Sequence, residues 1–293
     1  MIEKYYNGVI EQVAGGIGNV EHNSILVRYS NDFSIWDLES VNHYKDQTDI
    51  FFTCHEFSYN KIAEAYEPYL GLIRQMFHKY CSGTLEEFME ECDVYKLQRP
   101  VFESYFEKGF CERTEQILID EVEYEQERMH SSIVTMLQKL SEICPIVIVL
   151  NRFQLASKST MQLTNRLLQT KNKNIGIVLG VNDVQSIPEF AHEEWDAICE
   201  SMDDRNMVYH IGNAGRNMEP DVMDYYSDYE SDDGYRKLNN LVYFLDFDQA
   251  DHHLSKIERR IKFDNFTISE KKHYQLLLLQ IMVSVLQLSL IHI

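Results

Sequence analysis

The chain has 293 residues, 44% of them hydrophobic and 12% aromatic, with a formal net charge of −20. That length and apolar content predict a packed core of one large or two ordinary domains and exclude general disorder. The acidic balance excludes nonspecific binding to nucleic acid or to an anionic membrane, since both need a positive field. The six cysteines at 54, 81, 92, 111, 144 and 199 form no CxxC pair. With no basic, then apolar, leader at the N-terminus, they read as free thiols in a cytoplasmic protein.

In chain order, residues 1–24 read as a helix that fades into a loop at Gly15, Gly16 and Gly18. Ile25–Tyr29 is a first strand, followed by a polar loop over Ser30–Asp37 and a short helix over Leu38–Tyr44. Ile50–Cys54 is a second strand. Lys61–Tyr80 carries Ile62, Tyr66, Tyr69, Ile73 and Phe77 at helical spacing and reads as one amphipathic helix. Leu85–Cys92 and Val101–Phe110 are short helices, and Leu118–Ile143 is a long one. Ile146–Leu150 is a run of five apolar residues, four of them β-branched, and reads as a strand covered on both faces. A helix over Ser159–Gln169, a strand over Ile175–Leu179, a helix over Trp195–Met202 and a strand over Val208–Ile211 follow.

Glu219–Asp233 holds Asp or Glu at seven positions and reads as a solvated linker. Asp228, Glu230 and Asp232 alternate as in a calcium loop, but Asp233 stands where that loop needs glycine and Asn239 where it needs glutamate, so no metal is expected. From Tyr235 the pattern is helical: Leu238–Phe247, Gln249–Ile261 and Glu270–Leu290. His252 and His253, adjacent on a helix, point apart and read as surface residues. The strongly apolar last helix predicts that the natural protein continues past Ile293.

Helices alternating with strands define an α/β protein with a parallel sheet, whose ligand site lies outside the carboxyl ends of the strands. Asn151 and Arg152 end the central strand and fall there.

Four stretches together are similar to the AAA-like signalling ATPases, the STAND class of P-loop NTPases. Tyr6–Val13 (YNGVIEQV) resembles the opening motif of that family. Phe52–Leu72 resembles its second strand and following helix, Pro145–Leu168 its Walker B strand and helix, and Ile175–Asn182 (IGIVLGVN) its sensor strand. The resemblance implies a five-stranded parallel sheet in the order 5-1-4-3-2, with a helical insertion and a helical segment after it. It divides the chain into an NTPase-like domain over 1–216, an acidic linker over 217–234 and the start of a helical, repeat-like domain over 235–293. It also places a remnant nucleotide pocket at Ser30, Asn31, Ser34, Asn151, Arg152 and Asn182.

The chain departs from that family where the chemistry lies. A phosphate loop needs glycines, a lysine and a hydroxyl so that backbone N–H groups, an ammonium and Mg²⁺ hold the phosphates. After the first strand the sequence is instead YSNDFSIWD, without glycine or lysine. Asn151 and Arg152 stand where the family has two carboxylates. The expected function is therefore a non-hydrolysing, ATPase-like regulatory or scaffold module of a larger signalling protein. No catalytic residue and no cofactor are expected, and the alternative is an ATP- and Mg²⁺-using ATPase with an atypical phosphate loop. The expected partners are other proteins or the chain's own C-terminal helical and effector segments, not nucleic acid or membrane. The helical tail resembles segments of bacterial regulators that end in a diguanylate cyclase (GGDEF) domain, which implies such an output domain outside these residues.

Overall fold

The computed structural model describes residues 2–18, 23–29, 49–58, 61–111, 122–182, 187–203, 208–211 and 232–261, with the isolated positions 272, 276 and 279. It is an α/β fold built on a parallel sheet. The strands are β1 (Ser24–Tyr29), β2 (Phe51–Glu56), β3 (Ile146–Asn151), β4 (Ile175–Asn182) and β5 (Val208–Ile211). They lie in the order β2-β3-β4-β1-β5, and every neighbouring pair is parallel. β3 and β4 are buried along their whole length, as their unbroken apolar runs dictate.

Side chains alternate across the pleat, and each face has its own cover. On one face Ile25, Val27 and Tyr29 of β1, Phe52 of β2, Val147 and Val149 of β3 and Val178 of β4 meet Val9, Ile10 and Val13 of helix α1 (Ile2–Gly16). The close approach of α1 explains Gly176 in β4. A Cβ there would stand 2.6 Å from Val13 Cγ1 and 3.1 Å from the carbonyl of Asn23.

The other face carries Leu26, Ile146, Ile148, Leu150, Ile177 and Leu179. Eight helices share that core. Between β2 and β3 lie α2 (Tyr69–Tyr80), α3 (Leu85–Glu91), α4 (Arg99–Lys108) and α5 (Val122–Ile143). After β3 come α6 (Lys158–Gln169), α7 (His192–Asp203), α8 (Asp232–Tyr243) and α9 (Phe247–Ile261). Local signals set their ends. Thr84 and Glu87 form a reciprocal capping box at the start of α3. Gly109, at φ 81°, closes α4, and the Ser157 hydroxyl accepts from Thr160 N at the start of α6.

Several expected boundaries shift. The helix read from Lys61 starts only at Tyr69. Pro68 has no N–H for the helix ladder, it disfavours helical geometry at Glu67, and Tyr66 stands at φ 60°. Ile62, Ala63, Ala65 and Tyr66 are buried in an irregular segment, so their spacing reports the core rather than a helix. β2 runs two residues further than expected, to Glu56, and β4 runs three further, to Asn182.

The expected linker overlaps the start of α8, where Asp233 pairs with Arg236 and Lys237 one turn on. Asp233 and Asn239 both lie in that helix, which removes the calcium-loop reading. The expected boundary at 234/235 also falls inside α8. Leu238, Leu241, Phe244, Ala250, Leu254 and Ile257 of α8 and α9 belong to the sheet's own core. His253 is buried, not a surface residue, because α9 turns that side toward the core. Of the last expected helix, Glu270–Leu290, only Lys272, Leu276 and Leu279 are described, each as helical, and the loop and helix expected over 30–44 lie outside the described residues. No helix among them is long and apolar enough to cross a membrane.

Candidate functional site at the carboxyl edge of the sheet

Of the six expected pocket residues, Ser30, Asn31 and Ser34 lie outside the described residues. Asn151, Arg152 and Asn182 fall at the carboxyl ends of β3 and β4. Asn151 is the last residue of β3 and has no accessible surface. Its Oδ1 accepts two hydrogen bonds, from the Tyr29 hydroxyl at 3.1 Å and from Arg152 N at 3.0 Å. Its Nδ2 is buried and has no partner among the described residues.

Tyr29 ends β1 and is itself buried. The register pairs it with Asn182 on β4, the strand that separates β1 from β3. By the two-residue period, Tyr29, Asn151, Val178, Gly180 and Asn182 share one face of the sheet. On that face the phenol reaches across β4 to the amide.

Arg152 turns away from this pair. It sits at φ 53°, ψ 43°, a left-handed conformation that few non-glycine residues adopt, and opens the short 3₁₀ turn Phe153–Leu155. Its Nε lies 3.4 Å from Glu56 Oε1 at the end of β2. Glu56 and Asn151 are register partners, which explains how the two ends meet. Gln154, in the 3₁₀ turn, is fully buried and accepts at Oε1 from Asn182 N at 3.3 Å. Asn182 is thereby held inside the sheet edge, only 2% exposed.

Among the described residues, the polar groups at this edge are neutral or face a partner, apart from Asn151 Nδ2. The β3 end offers an amide and a phenol, neither of which is a base at neutral pH. The one cation described there, Arg152, faces a carboxylate. His55, one residue before Glu56, is 3.5 Å from Glu67. Burial lowers its pKa to about 4, so it approaches that carboxylate as a neutral ring rather than an ion pair. Among the described residues no three His, Cys, Asp or Glu side chains are grouped to hold a metal ion.

Asn151, Arg152 and Asn182 lie at the strand ends where they were expected, and Tyr29 and Glu56, which contact them, were not among the expected residues. Tyr29 reads from sequence as an ordinary strand residue. Only the pairing of β1 with β4, and of β4 with β3, shows which end it shares. Glu56 lay beyond the expected end of its strand.

These residues belong to a parallel α/β protein in which the ends of β1 and β3 are joined by a side-chain hydrogen bond. No protein-family model matches the chain, and neither the curated proteins nor the solved structures include a match.

Proposed function

We propose that this chain is a non-hydrolysing, ATPase-like module that acts as a scaffold or switch within a larger signalling protein. The observation that carries the reading is the end of β3. Where hydrolysis by this class of fold needs a carboxylate to hold Mg²⁺ and order water, a buried amide is bonded to the Tyr29 phenol. An amide carries no charge to offset that of a metal, and the phenol occupies its one acceptor oxygen together with Arg152 N.

The strand order supports the same reading, because β2-β3-β4-β1-β5 is the order that the resemblance to the P-loop NTPases implies. The helices after β5 support a scaffold role. Arg236 of α8 makes a two-pronged contact with Glu64, at 2.7 and 2.9 Å. Asn240 accepts from Ala65 N at 2.9 Å. These contacts tie α8 to the segment before α2; docking of protein partners or of the chain's own further segments on these helices is part of the proposal.

The test is phosphate release from ATP in the presence of Mg²⁺. The purified chain is expected to release phosphate no faster than buffer, and Asn151→Ala is expected to change nothing. Turnover that depends on Mg²⁺ and is altered by Asn151→Ala would establish the alternative, an ATPase with an atypical phosphate loop.

A further inference from the structure

The turn that joins α8 to α9 buries a carboxylate against the sheet's helices. α8 ends at Tyr243, Leu245 takes a left-handed φ of 69°, and Asp246 precedes the first residue of α9. The Asp246 carbonyl closes the first turn of α9 by accepting from Ala250 N at 3.0 Å. Its side chain points the other way, to the N-terminus of α6. Oδ2 accepts from Ser159 Oγ at 2.6 Å and from Ser159 N at 3.3 Å. Oδ1 has no partner among the described residues, and the residue has no accessible surface.

Among the described residues no cation forms a salt bridge with this carboxylate. Lys158, the neighbour on α6, gives its ammonium to Asp248 of α9 at 3.0 Å and lies 3.7 Å from Glu194 of α7. Glu194 Oε2 is also buried without a partner among the described residues. Tyr66, from the segment before α2, feels the Asp246 charge, and burial holds its hydroxyl protonated far above neutral pH. The facing titratable groups are thus one shared cation, Lys158, two carboxylates, Glu194 and Asp248, and one neutral phenol. Buried with half of its oxygens unsatisfied and a second carboxylate close by, Asp246 is better accommodated neutral than charged.

We propose that Asp246 is a proton-operated latch that holds the α8–α9 hairpin on the α/β body, tight when its carboxyl is protonated and loosened when it ionises. The hairpin's other polar ties to the body include Arg236 to Glu64, Asn240 to Ala65, Gln249 to Ala63 and to Lys158 N, and Lys158 to Asp248. The latch sits at its turn, where a local opening would begin.

Burial pushes the Asp246 pKa from 3.8 up to about 7, against the opposing pull of the two Ser159 hydrogen bonds and Lys158. The docked state then binds a proton that the undocked, solvated carboxyl releases. Docking therefore strengthens as pH falls below about 7 and is flat above it. The inference does not depend on the nucleotide question.

The test is amide hydrogen exchange on the full chain between pH 6 and 8, corrected for the intrinsic pH dependence of exchange. Protection over 232–261 is expected to rise about tenfold from pH 8 to pH 6, the change that one proton gives over one unit below its pKa. The amides of β3 serve as the internal reference and are expected not to follow. Asp246→Asn keeps the shape without the titration and is expected to flatten the profile. Glu194→Gln removes the facing carboxylate and is expected to move the midpoint to lower pH, which tests the latch even where Asp246→Asn does not fold. A flat wild-type profile, β3 amides that follow the hairpin, a slope that persists in Asp246→Asn, or a midpoint that Glu194→Gln leaves in place would each overturn the latch.

Discussion

Tyr29 at the end of β1 donates a hydrogen bond to Asn151 at the end of β3, across the strand that separates them. Both residues are buried, so the bond is made away from water and ties two strands that are not neighbours. Tyr29→Phe removes the donor and leaves Asn151 Oδ1 with Arg152 N alone. Thermal or urea unfolding is expected to show a loss of about 1 kcal/mol, the net value of one such bond. An unchanged stability would mean that the phenol contributes only its ring.

Ile148 lies at the centre of β3 with no accessible surface. Ile148→Asp places an unpaired charge between two apolar layers, which costs more than a domain of this kind can spare. The variant is expected in the insoluble fraction. A soluble protein with an unchanged melting temperature would contradict the description of the sheet.

Gly176→Ala tests the packing of α1 on the other face. The new methyl would meet Val13 and the Asn23 carbonyl inside normal contact distance, and α1 would have to lift. A loss of about 1–3 kcal/mol is expected in chemical unfolding, as for overpacked cores. Val13→Ala in the same chain is expected to restore part of it.

His130 on α5 is buried edge-on against Tyr66, and its Nε2 has no partner among the described residues. Burial lowers its pKa from 6.5 to about 4. The unfolded chain therefore takes up a proton below pH 6.5 that the folded chain refuses. Stability from this residue is full above pH 6.5 and is lost as pH falls toward 4, by about 3 kcal/mol in all. His130→Leu is expected to lose less stability over that range than the wild type in urea unfolding. Equal losses would mean that His130 charges without cost.

The central strand was legible because Ile146–Leu150 is a short, uninterrupted apolar run rich in β-branched residues, which fits a strand covered on both faces. The start of α2 was not. Ile62 and Tyr66 keep helical spacing with Tyr69 and Ile73, yet Pro68 governs the backbone between them. His253 could not be assigned because α9 buries the side that carries it, and its cover comes from elements distant in sequence. Asp246 reads as one more polar residue in a helical stretch, since nothing local announces the left-handed Leu245 before it. For the site, the residue types at the end of β3 were enough to deny a Mg²⁺ carboxylate. The partner that fills the space, Tyr29, depends on strand register, which the sequence does not display.

The proposed non-hydrolysing module is expected to take no nucleotide at its sheet edge, and equilibrium binding tests this most directly. Titration of the chain with ATP and Mg²⁺ in a calorimeter, up to millimolar nucleotide, is expected to give only heats of dilution, alike in the wild type and in Asn151→Ala. A saturable isotherm in the wild type that Asn151→Ala weakens would contradict the account and place a working nucleotide site at the end of β3.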